Sequence, residues 1–245
     1  YYLITRWKEL GKINGKEYIV KTIVTTETIK TIAERNGVEM YDVYTGFKWI
    51  ANVMRENEGK KNYIGGGEES YGFLCEDFVR DKDAVSACVI LAEIAAWAKD
   101  QGLSLYQLLQ KIYVEYGFSK EKGISVVKKG KSGAEEIEAM MKKFRENPLT
   151  EIAGSKVTYF YDYSTLKGKD YAENETVTLD MPTTSNVLQY FTEDNTKVSI
   201  RPSGTEPKIK FYCEVHSKVK SIDELPEAEK AAEEKINQIK ASLGI

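Results

Sequence analysis

Hydrophobic and polar positions follow two different rhythms along the chain, and the change between them divides it into two parts. Residues 17–24 (EYIVKTIV) are β-branched and apolar and predict a strand. Thr25 and Thr26 then offer hydroxyl caps to a helix over about 27–35, which Gly37 closes. Residues 38–43 predict a second short strand. Thr45 is placed to cap a helix over about 46–56, with Ile50, Val53 and Met54 at helical spacing. A third strand starts at 62–64 and breaks into the loop GGGEESYG (65–72). Helices follow. The one over 83–100 is apolar on most sides and is expected to be sandwiched between layers. Ser104 with Gln107 forms a capping box ahead of the next, which Gly117 ends. Ser132 and Glu135 repeat that box before Ile137, Met140, Met141 and Phe144, and Pro148 stops this helix. The alternation predicts a layered α/β domain with a largely parallel sheet.

After Pro148 the rhythm becomes that of strands: 156–163, 176–181, 187–191 and 197–200, with polar turns between. Residues 208–216 alternate cleanly. Ile209, Phe211, Cys213 and Val215 lie on one face, with Lys210, Tyr212, Glu214 and His216 on the other. A last helix carries a third capping box, Ser221 and Glu224, and a stripe of Leu225, Ala228, Ala232, Ile236, Ile239 and Leu243. An antiparallel sheet covered by helix on one face, a small α+β domain, is the expected second part.

Composition changes this picture little. A length of 245 residues suggests one or two domains. The charged fraction of 30% and hydrophobic fraction of 42% are those of a soluble globular protein. With 35 basic against 38 acidic residues, the net charge of -3 supplies no global field for nucleic acid or an anionic membrane. Any anion site must be local. Cys75, Cys88 and Cys213 are scattered without metal-ligand spacing and are expected as buried, reduced thiols of a cytoplasmic protein. His216, the single histidine, sits on a polar strand face and is expected to be solvated rather than a catalytic base. No apolar run approaches the roughly 18 residues of a membrane span. The chain opens at Tyr1 within a helical pattern rather than at methionine, as expected of a fragment.

Two loops carry candidate chemistry. In RPSGTEPK (201–208), Arg201 offers a bidentate fork suited to phosphate, and Ser203 and Thr205 add hydroxyl donors. Gly204 permits close approach of backbone N–H groups, and Pro202 and Pro207 restrict the turn. An ordinary polar hairpin uses many of the same residue types. In 65–72, the glycines allow close backbone approach, while Glu68, Glu69 and Ser70 crowd acceptors that the hydroxyl donors of a sugar would satisfy. A solvated acidic turn is the alternative. A phosphate cradle and a polyol reader in one chain together suggest a sugar phosphate.

These loops are recognisable. GGGEESYG resembles the sugar-binding loop of the α-D-phosphohexomutase superfamily, the phosphoglucomutase/phosphomannomutase enzymes, and RPSGTEPKIKFY (201–212) resembles the phosphate-binding loop of that family's last domain. TGFKWI (45–50) and RDKDAV (80–85) agree in order and spacing. The resemblance implies the third and fourth of four domains. These are a Rossmann-like layered domain over 14–147 and a TATA-binding-protein-like domain over 148–245, with 1–13 as the end of a preceding domain or a linker. It implies an isomerase of carbohydrate metabolism, an intramolecular phosphotransferase. That enzyme interconverts sugar 1- and 6-phosphates through a phosphoserine and a sugar 1,6-bisphosphate. The resemblance also implies Mg²⁺. Neither a TASHNP-type serine loop nor a DGDADR-type metal loop is found in this sequence. Turnover would then need N-terminal domains of the same parent, and the chain alone is expected to bind without catalysing.

Carried over by motif position, Glu69 and Ser70 would contact sugar hydroxyls with Glu68 in support, and Arg201, Ser203, Gly204 and Thr205 would hold phosphate with Lys208 at the rim. Lys48 resembles the lysine that reaches the reacting oxygen or phosphate. Lys82 is a second substrate candidate, and Lys21 a weaker one because a lysine on a buried strand needs a reason. Mannose or pentose phosphate specificity, or a non-catalytic phosphosugar-binding module, are the alternatives.

Overall fold

The computed structural model describes residues 1–128, 130–204 and 206–245. The chain divides into two compact units, Tyr1–Gly117 and Phe118–Ile245. In the first, α1 (Tyr2–Glu9) precedes β1 (Glu17–Thr22), α2 (Thr28–Arg35), β2 (Glu39–Val43), α3 (Phe47–Asn57), β3 (Asn62–Glu68), β4 (Gly72–Cys75), α4 (Ala84–Asp100) and α5 (Leu105–Tyr116). The sheet order is β2-β1-β3-β4, with β1 parallel to both neighbours and β4 antiparallel to β3. Strand β1 is buried on both faces. Tyr18 and Val20 pack with Phe47, Ile50 and Met54 of α3, while Ile19 packs with Ile4, Ile32 and Ala33 on the α1 and α2 side. A central parallel strand needs this two-sided apolar character.

The second unit runs β5 (Phe118–Val127), α6 (Gly130–Glu146), β6 (Glu151–Ile152), β7 (Ser155–Asp162), β8 (Lys167–Asp170), β9 (Glu175–Thr178), β10 (Leu188–Thr192), β11 (Lys197–Pro202), β12 (Lys208–Ser217), a 3-10 turn (Ile222–Glu224) and α7 (Leu225–Leu243). Its antiparallel sheet has the order β5-β12-β11-β10-β7-β8-β9, and β6 pairs with β7. Ile209, Phe211, Cys213 and Val215 of β12 are all buried, as their alternation requires, and so are Ala232, Ile236 and Ile239 of α7. Phe211 meets Phe144 of α6 edge-on, and Tyr190 donates its hydroxyl to the Phe144 carbonyl at 3.1 Å. The layered α/β domain followed by an antiparallel sheet with helices is therefore present.

Several expectations are corrected. The division falls at 117/118, not 147/148, because β5 pairs with β12 along ten registered residues and so belongs to the second sheet. Both faces of β5 carry charge, which hid it. Lys120 and Lys122 reach over to Glu229 and Glu233 of α7. Residues 1–13 are not a mere linker, since Tyr2 and Ile4 of α1 are buried in the first unit. Helix α6 begins at Gly130, so Ser132 and Glu135 lie inside it and form no box at its start. At the last helix Ser221 makes no side-chain cap bond, whereas the Glu224 carboxylate accepts the Lys220 N–H at 2.9 Å. The box of Ser104 and Gln107 is formed as expected.

Helix α4 is not sandwiched: Val85, Val89 and Leu91 are exposed, because it lies beside the edge strand β4 with one layer beneath it. Its N-cap is Asp83, whose carboxylate accepts the N–H groups of Val85 and Ser86. No helix among the described residues is long and apolar enough to cross a membrane. Cys88 is exposed rather than buried, whereas burial pushes the Cys213 thiol up to about 12. His216 is half-buried, not solvated; it is opposite Ser119 on an interior strand, and its Nε2 is buried without a hydrogen-bond partner among the described residues.

The boundary is testable. A chain starting at Phe118 is expected to show a cooperative thermal transition by circular dichroism. One starting at residue 148 lacks β5 and α6 and is expected to melt without cooperativity. A sharp transition in the shorter piece would return the boundary to 148.

Candidate sugar and phosphate sites

In the first sheet the chain goes from β1 to β2 on one side and then to β3 on the other, so the strand order reverses between β1 and β3. Open α/β sheets leave a ligand crevice at the carboxyl ends of such a pair. Thr22 ends β1 and Glu68 ends β3, and the Thr22 hydroxyl donates to Glu69 Oε2 at 3.1 Å. The glycines, expected from the sequence to form a loop, are instead part of β3, which continues through them to pair with β4. A Cβ on Gly66 would come 2.2 Å from the Val20 carbonyl oxygen, so only glycine fits between the strands. The turn itself is Glu69, Ser70 and Tyr71, with Ser70 exposed and Tyr71 at a φ of 64° with its ring in solvent.

Glu68 has a local task. Its Oε1 accepts the Gly46 N–H at 2.6 Å. Gly46 is the N-cap of α3 at a φ of 113°, so the expected Thr45 cap is replaced by a carboxylate from the neighbouring strand. A negative group at a helix N-terminus is also favoured by the helix dipole. Lys48 is exposed on the first turn of α3, its ammonium 4.9 Å from the Trp49 ring centroid. Lys82 is exposed, 3.0 Å from Asp81 Oδ1 and 5.9 Å from the Phe47 ring centroid, with its Cδ beside Gly72. The sheet edge thus gathers Glu68, Glu69, Ser70, Lys48 and Lys82. Lys21 is accounted for differently: it is buried, 2.9 Å from Glu27 Oε1 and 2.6 Å from Asp42 Oδ1. Two carboxylates satisfy its charge. Thr22, which holds Glu69, went unread in the sequence, although a hydroxyl ending a buried strand was the available signal.

In the second unit, Arg201 lies near the end of β11, half-buried, and forms no ion pair with a described residue. The turn beyond it is held by its own bonds. Ser203 N–H donates to the Lys208 carbonyl at 2.8 Å, Lys208 N–H to the Glu206 carbonyl at 2.7 Å, and Glu206 N–H to Ser203 Oγ at 3.3 Å. The Lys208 ammonium bonds Glu206 and holds that carboxyl below its ordinary range. Gly204 is exposed, and Thr205 lies outside the described residues. A cleft of about 580 Å³ runs between this turn and α6, lined by Ser203, Lys208, Lys142, Arg145 and Met141. Arg145 is already engaged, 2.9 Å from both Asp162 and Asn186. Among the described residues, no group of three or more His, Cys, Asp and Glu side chains is placed to hold a metal.

An open α/β sheet with carboxylates at its switch point, followed by an antiparallel sheet ending in an arginine turn, defines a class of two-part chains with polar groups at strand ends. Residues 1–116 match the family described as phosphoglucomutase/phosphomannomutase, alpha/beta/alpha domain III, and residues 125–232 match its C-terminal domain. The chain belongs to the phosphoglucomutase/phosphomannomutase family and carries these two domains. It is 35% identical over 214 residues to a phosphoglucomutase of Staphylococcus haemolyticus, covering 87% of this chain and 39% of that protein. It is 40% identical over 194 residues to one from Staphylococcus aureus, covering 79% and 35%. The chain therefore spans well under half the length of these relatives. In fold it is similar to the phosphoglucomutase pp63/parafusin of Paramecium, with a TM-score of 0.55 and 19% identity over 83% of this chain and 33% of that one. A phosphoglucomutase/phosphomannomutase family protein of Burkholderia thailandensis gives 0.56 and 16%, over 99% and 41%.

Two substitutions test this geometry. Gly66→Ala is expected to lower stability by about 3 kcal/mol, because the clash is with backbone. Glu68→Ala is expected to lower it by about 1–2 kcal/mol through loss of the charge-assisted bond to Gly46. Denaturant unfolding measures both, and a Glu68→Ala midpoint equal to wild type would remove Glu68 from the capping role.

Proposed function

We propose that this chain is the sugar-reading and phosphate-gripping part of a phosphoglucomutase that interconverts glucose 1-phosphate and glucose 6-phosphate. The observation that carries this reading is Arg201, a half-buried guanidinium without a carboxylate partner among the described residues, beside a glycine turn anchored on two strands. A planar fork in that setting suits a phosphate dianion.

In this reading Glu69, oriented by Thr22, accepts hydrogen bonds from ring hydroxyls, with Ser70 beside it. Glu68 supports the turn and keeps one oxygen for the Gly46 N–H. Arg201, Ser203, Gly204 and Thr205 hold the phosphate that is not reacting, with Lys208 at the rim. Lys48 approaches the reacting oxygen, and Lys82 adds positive charge near the turn. In the whole enzyme a phosphoserine transfers its phosphoryl group to the free hydroxyl of the hexose monophosphate. The serine then recovers the other phosphoryl group from the bisphosphate. Phosphoryl transfer depends mainly on positioning and electrostatics, so reader and grip serve both half-reactions. The phosphoserine and Mg²⁺ that the family resemblance implies belong to the whole enzyme, and the roles proposed for this chain need neither.

Calorimetric titration with glucose 6-phosphate tests the grip. Arg201→Ala is expected to weaken binding roughly 10- to 150-fold, from charge-assisted bonds of about 1.5–3 kcal/mol each. Arg201→Lys should recover only part of the loss, with unchanged melting in both. Equal affinity in all three proteins would leave 201–208 as a turn. In the full-length parent, Glu69→Gln is expected to change preference between glucose and mannose phosphates more than phosphate affinity. Equal weakening of both sugars would remove Glu69 as the discriminator. The chain alone is expected to show no interconversion in a coupled assay with Mg²⁺; turnover by material free of host enzyme would overturn that.

A further inference from the structure

Lys21 is the sequence candidate that takes no part in either site, and its surroundings give it a task. Its side chain is fully buried where β1 and β2 both end. The ammonium lies 2.6 Å from Asp42 Oδ1, on its register partner in β2, and 2.9 Å from Glu27 Oε1, at the N-cap of α2. The carbonyl oxygens of Thr22 and Thr25 are each 3.5 Å away. One cation thus gathers oxygens from β1, β2, the turn after β1 and the start of α2. A buried ion pair adds little net stability over apolar packing, but its directed bonds fix where the segments meet. The same turn also holds Glu69. Thr25 N–H donates to the Thr22 carbonyl at 2.9 Å, and the two threonine hydroxyls are 2.8 Å apart. A hydroxyl has one proton. Thr22 gives its own to Glu69 Oε2 at 3.1 Å, so the Thr25 hydroxyl is the donor between the two threonines. Both threonines are buried, whereas Glu69 is half-buried and the next residue, Ser70, is exposed. A buried anchor therefore reaches a carboxylate at the sheet edge in two hydroxyl steps.

We propose that Lys21 and Thr25 are positioning residues of the sugar reader: the ammonium fixes the 22–25 turn, and the turn's paired hydroxyls aim Glu69. This rests on the reading of Glu69 as the acceptor of ring hydroxyls. Neither residue needs to touch the sugar. A glutamate at a sheet edge otherwise samples several rotamers, and a carboxylate that must meet one ring hydroxyl loses discrimination when its direction varies. Chained hydroxyls with one proton direction also polarise each other, which strengthens the final bond to the carboxylate. Without the Lys21 ammonium, Asp42 and Glu27 would face each other as like charges beside the turn and push it apart. The signature of positioning is a change in which sugar is preferred, transmitted only through Glu69.

The experiment titrates this chain calorimetrically with glucose 6-phosphate and mannose 6-phosphate and reads the ratio of the two affinities. Lys21→Met and Thr25→Val are each expected to shift that ratio about 3- to 10-fold, in the direction of Glu69→Gln. Thr25→Ser, which keeps the hydroxyl, should stay within about twofold of wild type. Equal shifts in Thr25→Ser and Thr25→Val would make Thr25 a packing residue and overturn the proposal. In the Glu69→Gln background, Lys21→Met and Thr25→Val should change the ratio no further, since groups acting through one residue are not additive. A shift there as large as in wild type means that they act independently of Glu69, and the proposal fails. If Lys21→Met shows no cooperative melting, Asp42→Asn takes its place, because it weakens the seat of the ammonium. It is expected to move the ratio at least about twofold in the same direction; a wild-type ratio overturns the proposal. If Glu69→Gln shifts the ratio while the Lys21 and Thr25 variants do not, the proposal fails and the sugar reading stands. If wild type binds neither sugar phosphate, or Glu69→Gln leaves the ratio unchanged, the sugar reading fails and this proposal fails with it.

Discussion

The close approach of β3 to its neighbours is the constraint on which the first domain's site depends. At residue 66 there is no room for a methyl group against the Val20 carbonyl oxygen, and at residue 67 a Cβ would come 2.4 Å from the Gly72 oxygen. Glycine lets the strand run between two backbones to its full length. The carboxylates therefore emerge at the sheet edge, at the end of a rigid strand, and not from the middle of a free loop. Their height at that edge is set by backbone contact.

Both domains apply the same rule to opposite chemistry. Each presents its polar groups where a strand turns back, and each turn is held by bonds that leave some groups unspent. In the first, carboxylates and a hydroxyl face outward as acceptors, which suits hydroxyl donors. In the second, an arginine and flanking lysines gather positive charge, which suits an anion. Strand ends hold such groups more firmly than long loops do, because the backbone on either side is already paired.

Much of the fold was legible because the signals were local. The alternation of Ile209 to Val215, the Ser104–Gln107 box and the stripe of α7 each follow from nearest-neighbour geometry. The candidate loops were legible too, since unusual densities of glycine, carboxylate and hydroxyl are visible in the sequence. What escaped depended on partners far along the chain. Strand β5 reads as a charged coil until Glu229 and Glu233 are placed above its lysines. The glycine run reads as a loop until the carbonyl oxygens beside it are known. Thr45 reads as the cap of α3 until Glu68 is brought to the Gly46 N–H from another strand. Lys21 looked like a site candidate because Asp42 and Glu27 become its partners only in three dimensions.

The bond between Glu68 and the Gly46 amide joins segments 22 residues apart into one mechanical part. A loop-swapping experiment among relatives would naturally move residues 65–72 as a cassette. Here the transplantable piece is larger. The cassette brings a carboxylate whose anchor is a backbone N–H in a conformation that favours glycine, in a different part of the chain. A recipient without that glycine would receive the exposed turn residues with their footing removed, so changes in the loop and in the 45–48 turn are bound to travel together.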